Sequence, residues 1–532
     1  PEIPAPRLWS PDSPQIYTVY SEVFDNDSLV DTYKSPAGFR WFRWDYTDDT
    51  LILNGRRIHI HGTNRHQEYP WLGDAIPKWI QLMDMNDIRF NLNHNFMRTA
   101  HYPNDPFIYD MTDRLGIITV EEVPNIKNID FGEQIQEQNV REMIRRDRNH
   151  PSILFWSVGN ESDDAADSRW VWEEDSSRII HQRKTEKYGN YVTHSHENLD
   201  MENLLRVTIR GRNNRDVRAL EPSNESYGRN SGQRAGTEEW QHRMARIDGG
   251  SIRGRIDKNI VVWLYEDHGL DREYKNAPLL HVNPKGWVDM YRVPKYIYYL
   301  WQANYADVPM VYVHPHHWRQ RYIGQKKDIQ VDCNCDEVEL FVGDRSIGRL
   351  ALADSNFHTV TFKDVMVENS TLTASGIRDD ATVGISLEMA GDAERIILSA
   401  KPGSINADRA GISIINADIV DANGNHVYGA TNTITWQVRG PAVLVGPSVY
   451  ESDIQKNGAA EGTGYIDMPV SNVIRSTNRA GTIIVTVSSP GLQPGTVILT
   501  SEPPPIRRDN GIDEPLLSDS GRLPVRRHKI KN

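Results

Sequence analysis

Two short stretches of the sequence contain carboxylates whose setting suggests acid–base chemistry. FWSVGNES, residues 155–162, ends an apolar run with the pair Asn160 and Glu161, and RAGTEEW contains Glu238 and Glu239. Two carboxyl groups at one site can cleave a glycosidic bond: one protonates the leaving oxygen and the other attacks the anomeric carbon. The first question is therefore which two carboxylates meet.

Glu161 is our candidate for the general acid/base. It follows a run that contains Trp156 and Val158, and a poorly solvated carboxyl group keeps its proton more readily, as a general acid must. An N-cap role at the start of a following helix is an equally simple interpretation of the spacing. For the second carboxylate we choose Glu238 and hold Glu239 in reserve, because adjacent strand residues face opposite ways. A charged residue on a solvated loop or at a helix start is the alternative for Glu238.

The surrounding pattern predicts the scaffold that would bring these residues together. From about residue 51 to 306, β-branched runs such as RIHIHGTN, GIITVEEVP and SILFWSVGN alternate with helical stretches such as DPFIYDMTDRLG. Strands that alternate with helices over about 250 residues are typical of a (β/α)8 barrel, in which the carboxyl ends of the strands line the site. Asn160 and Glu161 would then lie at the mouth of the barrel.

The flanking sequence predicts β-sandwiches. Residues 15–50 alternate apolar and polar positions, and short strands with turn dipeptides return after about residue 310. The expected fold class is multidomain α/β plus all-β, a TIM barrel flanked by immunoglobulin-like β-sandwich domains. We predict five parts: the C-terminal part of an immunoglobulin-like sandwich (1–50), the barrel (51–308), an accessory sandwich (309–380), a second immunoglobulin-like sandwich (381–502) and an extended tail (503–532).

Composition excludes several classes of function. The 532 residues carry a net charge of -13 with both signs mixed along the chain, so we expect no nucleic-acid partner. No stretch approaches the roughly 18 apolar residues that span a bilayer, so we expect no membrane span. Cys333 and Cys335 are too close in sequence to favour a mutual disulfide. We expect the histidines of HPHHW, residues 314–318, on the surface, because the motif has no acidic partner, and we predict no metal ligands.

Several motifs together resemble glycoside hydrolase family 2, the family of β-galactosidases and β-glucuronidases. They are LWSPDSPQIY, LNGRRIHIHGTNRH, FMRTAHYPNDPFIYDMTDRLGI, ILFWSVGNES and KGWVDMYRVPK, and they cover about residues 1–310. The resemblance implies a retaining mechanism with a covalent glycosyl-enzyme intermediate and Glu161 as acid/base. The family nucleophile ends the seventh strand, usually before Tyr-Gly or Tyr-Ala. This chain reads TEEW there, and Glu238 is assigned despite that departure.

The resemblance also implies substrate-binding residues. Asn160 matches the family asparagine that hydrogen-bonds the sugar 2-hydroxyl, with a turn residue as the structural alternative. His66 in NRH, Arg98 and His101 in RTAHYP and Trp263 on the eighth strand match positions near the sugar subsite. Trp263 would offer an apolar platform for a sugar ring, although an aromatic residue at a strand end also suits the barrel core.

Two motifs point to different sugars. HVNPKGW contains Asn283 and Lys285 in an N-x-K-G arrangement that resembles the carboxylate-binding motif of β-glucuronidases. WLYEDHG resembles the galactosidase strand ending, with Asp267 in its place. We favour a retaining exo-β-glycosidase that removes a terminal β-galactoside, with a β-glucuronidase as the alternative. A non-catalytic carbohydrate-binding protein is the alternative of another class.

The partners follow from the same resemblance. We expect an oligosaccharide or polysaccharide substrate, no required cofactor and a periplasmic or secreted protein in preference to a cytoplasmic one. Some β-galactosidases of the family use magnesium, but we place no divalent-cation site. Family members begin with a jelly-roll domain and a complete immunoglobulin-like sandwich, so we expect either a truncated homologue or a separate chain that carries the remainder; a homo-oligomer is a further option.

The stretch 197–236 is rich in Asn, Arg, Ser and Gly and falls where the sixth strand and its loop should be. Loops of this length in a compact barrel are usually functional or mobile. We expect it to shape the subsites, with Arg210 and Arg212 contacting an anionic sugar.

Overall fold

A computed structural model defines the fold of most of the chain. It describes residues 3–47, 50–126, 131–160, 168–182, 191–193, 242, 246, 259–269, 282–283, 286–354, 357–379, 381–427, 430, 432–450 and 470–504. Within these ranges, no helix combines the length and the apolar composition needed to cross a lipid bilayer.

The chain begins with a β-hairpin of two long strands, β1 (Tyr17–Asp25) and β2 (Ser28–Ala37). Asn26 and Asp27 form the turn with φ values of 47° and 64°, the left-handed conformation that two-residue hairpin turns require. The alternating sequence predicted one buried face. Both faces are instead largely exposed, because no described residue covers the hairpin.

A three-stranded antiparallel sheet follows and packs on the barrel. Its strands are β3 (Phe42–Asp45), β4 (Thr50–Leu53) and β5 (Arg56–Ile58). Trp44, Leu51 and Leu53 are buried in the same apolar cluster as the barrel residues Phe96 and Phe155. The sheet therefore contains residues from both sides of the boundary that we placed between residues 50 and 51.

Among the described residues, seven parallel strands form the barrel wall. In spatial order they run β11-β10-β9-β8-β7-β6-β12. The barrel strand that comes last in the chain, β12, therefore pairs with the one that comes first, β6. Their bounds are β6 (His61–Arg65), β7 (Phe96–Thr99), β8 (Ile118–Glu122), β9 (Ile153–Ser157), β10 (Ile179–Gln182), β11 (Tyr191–Thr193) and β12 (Ile260–Val262). The sixth strand, β11, therefore precedes the stretch 197–236, in which we had expected it. A small antiparallel pair, β13 (His268–Gly269) and β14 (Val282–Asn283), follows.

Helices alternate with these strands, as the sequence predicted. They are α1 (Lys78–Asn86), which continues into a wider helical turn (Asp87–Asn91), α2 (Pro106–Leu115), α3 (Glu133–Asp147), α4 (Ser168–Glu174) and α5 (Tyr296–Tyr305). The ends of α2 show why its sequence stops where it does. Asp105 caps the first turn by accepting from the Phe107 amide, and Gly116 ends the helix at φ 73°.

The first C-terminal sandwich packs two sheets around one core. One sheet contains β15 (Val311–Val313), β16 (Lys326–Cys333) and β19 (Thr359–Met366); the other contains β17 (Glu337–Val342), β18 (Arg345–Ala351), β20 (Leu372–Arg378) and β21 (Ala381–Leu387). Short 3-10 turns lie at Pro315–His317, Gln320–Tyr322 and Leu352–Asp354. Because β21 pairs with β20, the sandwich extends past the boundary that we placed at residue 380.

Two predictions about side chains meet their test in this sandwich. Cys333 and Cys335 form no disulfide with each other, as predicted, and both are buried. The prediction that the HPHHW histidines lie on the surface was wrong for His314 and His317, which are 1% and 9% exposed. His314 finds an acidic partner, Asp332, on the neighbouring strand β16, and strand pairing of this kind is invisible within a short motif.

The second C-terminal sandwich has its own apolar core. One sheet contains β22 (Arg395–Lys401), β24 (Ile412–Val420), β26 (Ala442–Leu444) and β28 (Val470–Ser476). The other contains β23 (Ser404–Asn406), β25 (Ile434–Arg439), β27 (Val449–Tyr450), β29 (Gly481–Ser488) and β30 (Gly495–Glu502). Of the predicted tail, 503–532, the residues after 504 lie outside the described part of the chain.

Candidate active site

Polar side chains meet at the carboxyl ends of neighbouring barrel strands. Asn64 and Arg98 lie near the ends of β6 and β7, while Glu122 and Ser157 end β8 and β9. All four are buried, although buried strands are normally apolar throughout. Around them the structure brings together the predicted residues His66, Arg98, His101, Asn160 and Trp263.

An ion pair between Arg98 and Glu122 forms the centre of this group. Arg98 donates to Glu122 Oε2 from Nε at 2.9 Å and from Nη2 at 2.6 Å. Its Nη1 donates to Asn64 Oδ1 at 3.2 Å, and the Asn64 amide in turn donates to the Val262 carbonyl. The guanidinium is therefore held in one orientation by residues of three barrel strands.

The Glu122 carboxylate accepts hydrogen bonds from several side chains. Besides Arg98, His101 donates from Nδ1 to Oε1 at 2.7 Å, and the Ser157 hydroxyl donates to Oε2 at 2.7 Å. His181 then donates from Nδ1 to the Ser157 oxygen at 2.9 Å. Burial alone would raise the pKa of Glu122, but Arg98 and His101 hold that pKa well below the usual glutamate value. Glu122 is thus a fixed anion that orients its neighbours.

Asn160 is oriented by the same arginine. Arg98 Nη2 donates to Asn160 Oδ1 at 3.0 Å, and because a guanidinium can only donate, the oxygen of the amide must face Arg98. The Asn160 NH2 group is then directed away from Arg98 as a donor. Gly159 has φ 138°, and a side chain there would meet the Asn125 carbonyl at 2.7 Å. The backbone before Asn160 can therefore approach Asn125 only with glycine at this position.

Aromatic rings form a second side of the site. His101 stacks on Trp263 with ring centroids 4.7 Å apart and planes at 12°, and His66 meets both rings edge-on at 5.4 and 5.6 Å. Trp263 is partly exposed, whereas its neighbours Val262 and Leu264 are buried. The indole therefore presents an open apolar surface beside the polar group.

His66, Glu68 and His268 offer ligand atoms that lie within 4.8 Å of one another. Burial and the neighbouring His268 keep the pKa of His66 well below its ordinary value, so this ring is neutral. The two imidazoles, however, stack face to face with centroids 4.3 Å apart and planes at 13°. Lone pairs in nearly parallel planes do not converge on one ion, so this arrangement is poorly suited to metal binding.

Asp267 does not join the group. It is fully buried, accepts from Lys295 Nζ at 2.5 Å and from the Gly286 amide at 2.7 Å. The structure therefore assigns Asp267 to a buried ion pair, which corrects its prediction as a sugar-binding residue. The preceding Glu266 is also fully buried, and burial raises its pKa to about 8.

Several predicted positions lie outside the described residues. They are Glu161, Glu238, Glu239, Lys285, Arg210 and Arg212. Asn283 is described as a backbone position in β14, where it pairs with His268 of β13. Glu161 directly follows Asn160 in the sequence, so the described group includes the residue before the predicted acid/base.

Sequence reasoning missed Glu122, Ser157 and His181. The signal was present, because VEEVP places two acidic residues at the end of a β-branched run. Adjacent strand residues face opposite ways. Glu121 accordingly points to Arg146 outside the barrel at 3.4 Å, and Glu122 points inward to Arg98.

Comparison with known families agrees with this architecture. The model for the TIM barrel domain of glycosyl hydrolases family 2 matches residues 45–204, a second family 2 model matches residues 1–40, and the family 2 C-terminal domain 5 matches residues 396–498. The chain belongs to glycoside hydrolase family 2. A domain of unknown function matches residues 324–384. The predicted family and fold class are thereby confirmed.

Family 2 relatives with different names match most of this chain. It is 26% identical over 529 residues to a β-galactosidase of Thermoanaerobacter pseudethanolicus, covering 91% of this chain and 67% of that protein. It is 26% identical over 543 residues to a β-glucuronidase of Formosa agariphila, covering 95% and 53%. A β-glycosidase structure from Bacteroides vulgatus shares the fold with a TM-score of 0.73 at 21% identity, covering 93% and 70%. The chain thus spans roughly half to two thirds of these proteins.

Proposed function

We propose that this family 2 chain contains the catalytic barrel of a retaining exo-β-glycosidase that hydrolyses terminal β-linked sugars of oligo- or polysaccharides. The observation that supports this most is the group of Arg98, Glu122, His101 and Asn160 at the strand ends. Together with Trp263, this group directs the Asn160 NH2 donor and an apolar ring surface toward one place. Asn160 immediately precedes Glu161 in the sequence. A sugar hydroxyl there would find a donor whose orientation does not have to be created during the reaction.

The proposed reaction has two displacements. In the first, Glu238 attacks the anomeric carbon while Glu161 gives its proton to the leaving oxygen, which yields a glycosyl ester on Glu238. In the second, Glu161 removes a proton from water, which attacks the anomeric carbon and releases Glu238 as a carboxylate. Asn160 would donate to the 2-hydroxyl in both steps. Trp263 would contact the apolar face of the sugar ring.

A β-galactoside is the first candidate substrate, in line with the name of the Thermoanaerobacter relative. The argument from Asp267 no longer supports it, because that carboxylate is engaged by Lys295. A β-glucuronide is the second candidate. It is supported by the backbone pairing of Asn283, the first residue of the N-x-K-G motif, with His268, whose ring stacks on His66.

The test is hydrolysis of p-nitrophenyl β-galactoside and β-glucuronide by the wild type and by Glu161→Ala, Glu238→Ala and Glu239→Ala. We expect one substrate to be cleaved, with loss in the Glu161 and Glu238 variants. A matched control is Glu337→Ala, a partly exposed carboxylate paired with Arg349 in the accessory sandwich, which should retain activity. If Glu239→Ala is inactive and Glu238→Ala is not, the nucleophile assignment moves by one residue.

Added azide separates the two roles. In Glu161→Ala, azide can attack the glycosyl ester without a general base, so we expect recovered turnover and a β-glycosyl azide. In the nucleophile variant, azide replaces the missing carboxylate on the opposite face and should give the α-glycosyl azide. Full activity of Glu161→Ala without azide would contradict the mechanism. Binding of glycans with no turnover of any substrate would instead support the carbohydrate-binding alternative.

A further inference from the structure

A buried cluster of two histidines and one aspartate lies away from the candidate active site. His314 follows β15, Asp332 lies in β16, and His242 comes from a helical position in the barrel part of the chain. Tyr312 pairs with Asp332 in the antiparallel ladder, so His314, two residues on, has its side chain on the same face and diagonal to Asp332. The cluster therefore joins the barrel to the first C-terminal sandwich.

The distances within the cluster are short. His314 Nε2 lies 2.8 Å from Asp332 Oδ2, and His242 Nε2 lies 2.9 and 3.0 Å from the two carboxylate oxygens. Thr359 also donates to Asp332 Oδ1, at 2.6 Å. The side chains of His242, His314 and Asp332 are all 0% exposed. Bulk solvent therefore does not reach these three side chains.

The orientation of the rings suits a shared ligand. The His242 and His314 imidazoles meet edge to face, with centroids 4.3 Å apart and planes at 73°. At this angle, lone pairs of the two rings can be directed toward one point, unlike those in the nearly parallel planes of His66 and His268. All three residues supply ligand atoms within 4.8 Å of one another. Ligand atoms of a tetrahedral zinc ion lie about 3.3 Å apart when the bonds are about 2.0 Å, so small side-chain rotations would suffice.

The charges are also those that a metal ion requires. Among the described residues, the Asp332 carboxylate lies beside His242 and His314 and forms no ion pair with a lysine or arginine.

We propose that His242, His314 and Asp332 bind one Zn²⁺ ion, which stabilises the contact between the barrel and the first C-terminal sandwich. Imidazole and carboxylate ligands in a set of this size fit zinc better than magnesium or calcium, which prefer oxygen ligands. Thr359 is the hydrogen-bonding support of the carboxylate ligand. This site is independent of the proposed glycosidase activity.

The test begins with the wild-type chain. Elemental analysis of protein purified without chelators should find one zinc per chain, and prolonged chelation should remove it and lower Tm. Adding Zn²⁺ back should restore Tm, and Co²⁺ in its place should give the visible absorption of a tetrahedral nitrogen and oxygen site. A wild-type protein that holds no zinc after incubation with Zn²⁺ and shows no change in Tm would overturn the proposal.

Variants locate the ion. Asp332→Asn and His314→Gln should lose the bound zinc and the Tm response to chelation. The matched control is His426→Gln, since His426 pairs with Asp418 at 2.6 Å but has no third ligand among the described residues. This control should keep its zinc. Zinc retained at full stoichiometry in both cluster variants would place the ion elsewhere and contradict the assignment; the wild-type Co²⁺ spectrum remains decisive if either variant fails to fold.

Discussion

Arg98 and Glu122 form a two-bonded ion pair inside the barrel, with Nε and Nη2 both donating to one carboxylate oxygen. The remaining donors of Arg98 reach Asn64 and Asn160, and the other oxygen of Glu122 accepts from His101. One charge pair therefore positions the amide that precedes the predicted acid/base. The stability of this pair and the geometry of the candidate site depend on the same contacts.

Glu122→Gln should destabilise the barrel and impair activity together. Replacing one partner of a buried ion pair leaves the charge of Arg98 uncompensated, which costs about 3 to 5 kcal/mol. Urea unfolding would measure the loss. The control is Glu337→Gln, whose partner Arg349 is 52% exposed, and for which we expect a change of less than about 1 kcal/mol. Equal stability of the two variants would contradict the structural role of Glu122.

Asn160→Ala should weaken transition-state binding without a comparable loss of stability. If its NH2 group donates to the sugar 2-hydroxyl, kcat/KM should fall on the order of 10²-fold, as for other fixed donors. The sharper measurement compares the cleaved glycoside with its 2-deoxy analogue. Wild type should lose activity on the analogue, whereas Asn160→Ala should lose much less. A 2-deoxy penalty that is the same in both proteins would show that Asn160 does not contact this hydroxyl.

The barrel was predictable because its signals are local. Buried parallel strands such as β9 read as unbroken apolar runs, and the caps of α2 are visible as Asp105 and Gly116. The predicted site residues that follow strands β6, β7, β9 and β12 also meet in space, since parallel strands end at one edge. Strand ends and their polar residues can therefore be read from sequence.

The unpredicted contacts are those between residues far apart in the chain. His314 and His242 lie 18 and 90 residues from Asp332, and no pattern within a short window links them. Asp267 was misassigned for the same reason, because Lys295 comes 28 residues later. Glu122 is different. The alternation of strand side chains, which we applied to Glu238 and Glu239, would have predicted that one of Glu121 and Glu122 faces the barrel interior.

Asp267→Asn should affect stability rather than substrate binding. Its buried partner Lys295 would lose its counter-charge, at a cost of about 3 to 5 kcal/mol, while KM should stay close to the wild-type value. The double variant Asp267→Asn, Lys295→Met should recover part of the stability, because it removes both charges. Thermal unfolding and kinetics of the three proteins would decide. A large rise in KM with unchanged stability would restore Asp267 as a sugar-binding residue.

Glu266 should make the stability of the barrel depend on pH. Burial raises its pKa to about 8, above the ordinary glutamate value of 4.5, so the folded chain holds a proton that the unfolded chain releases. The stabilisation of the folded chain that comes from this proton is therefore fully present below about pH 4.5 and is lost as pH rises through about pH 8. Glu266→Gln keeps the shape without the charge, and we expect it to stabilise the protein at pH 8 by roughly 2 to 4 kcal/mol and to have little effect at pH 5. Urea unfolding at both pH values, with Glu337→Gln as the surface control, measures the difference. A Glu266→Gln effect that is equal at pH 5 and pH 8 would show that Glu266 does not titrate in this range.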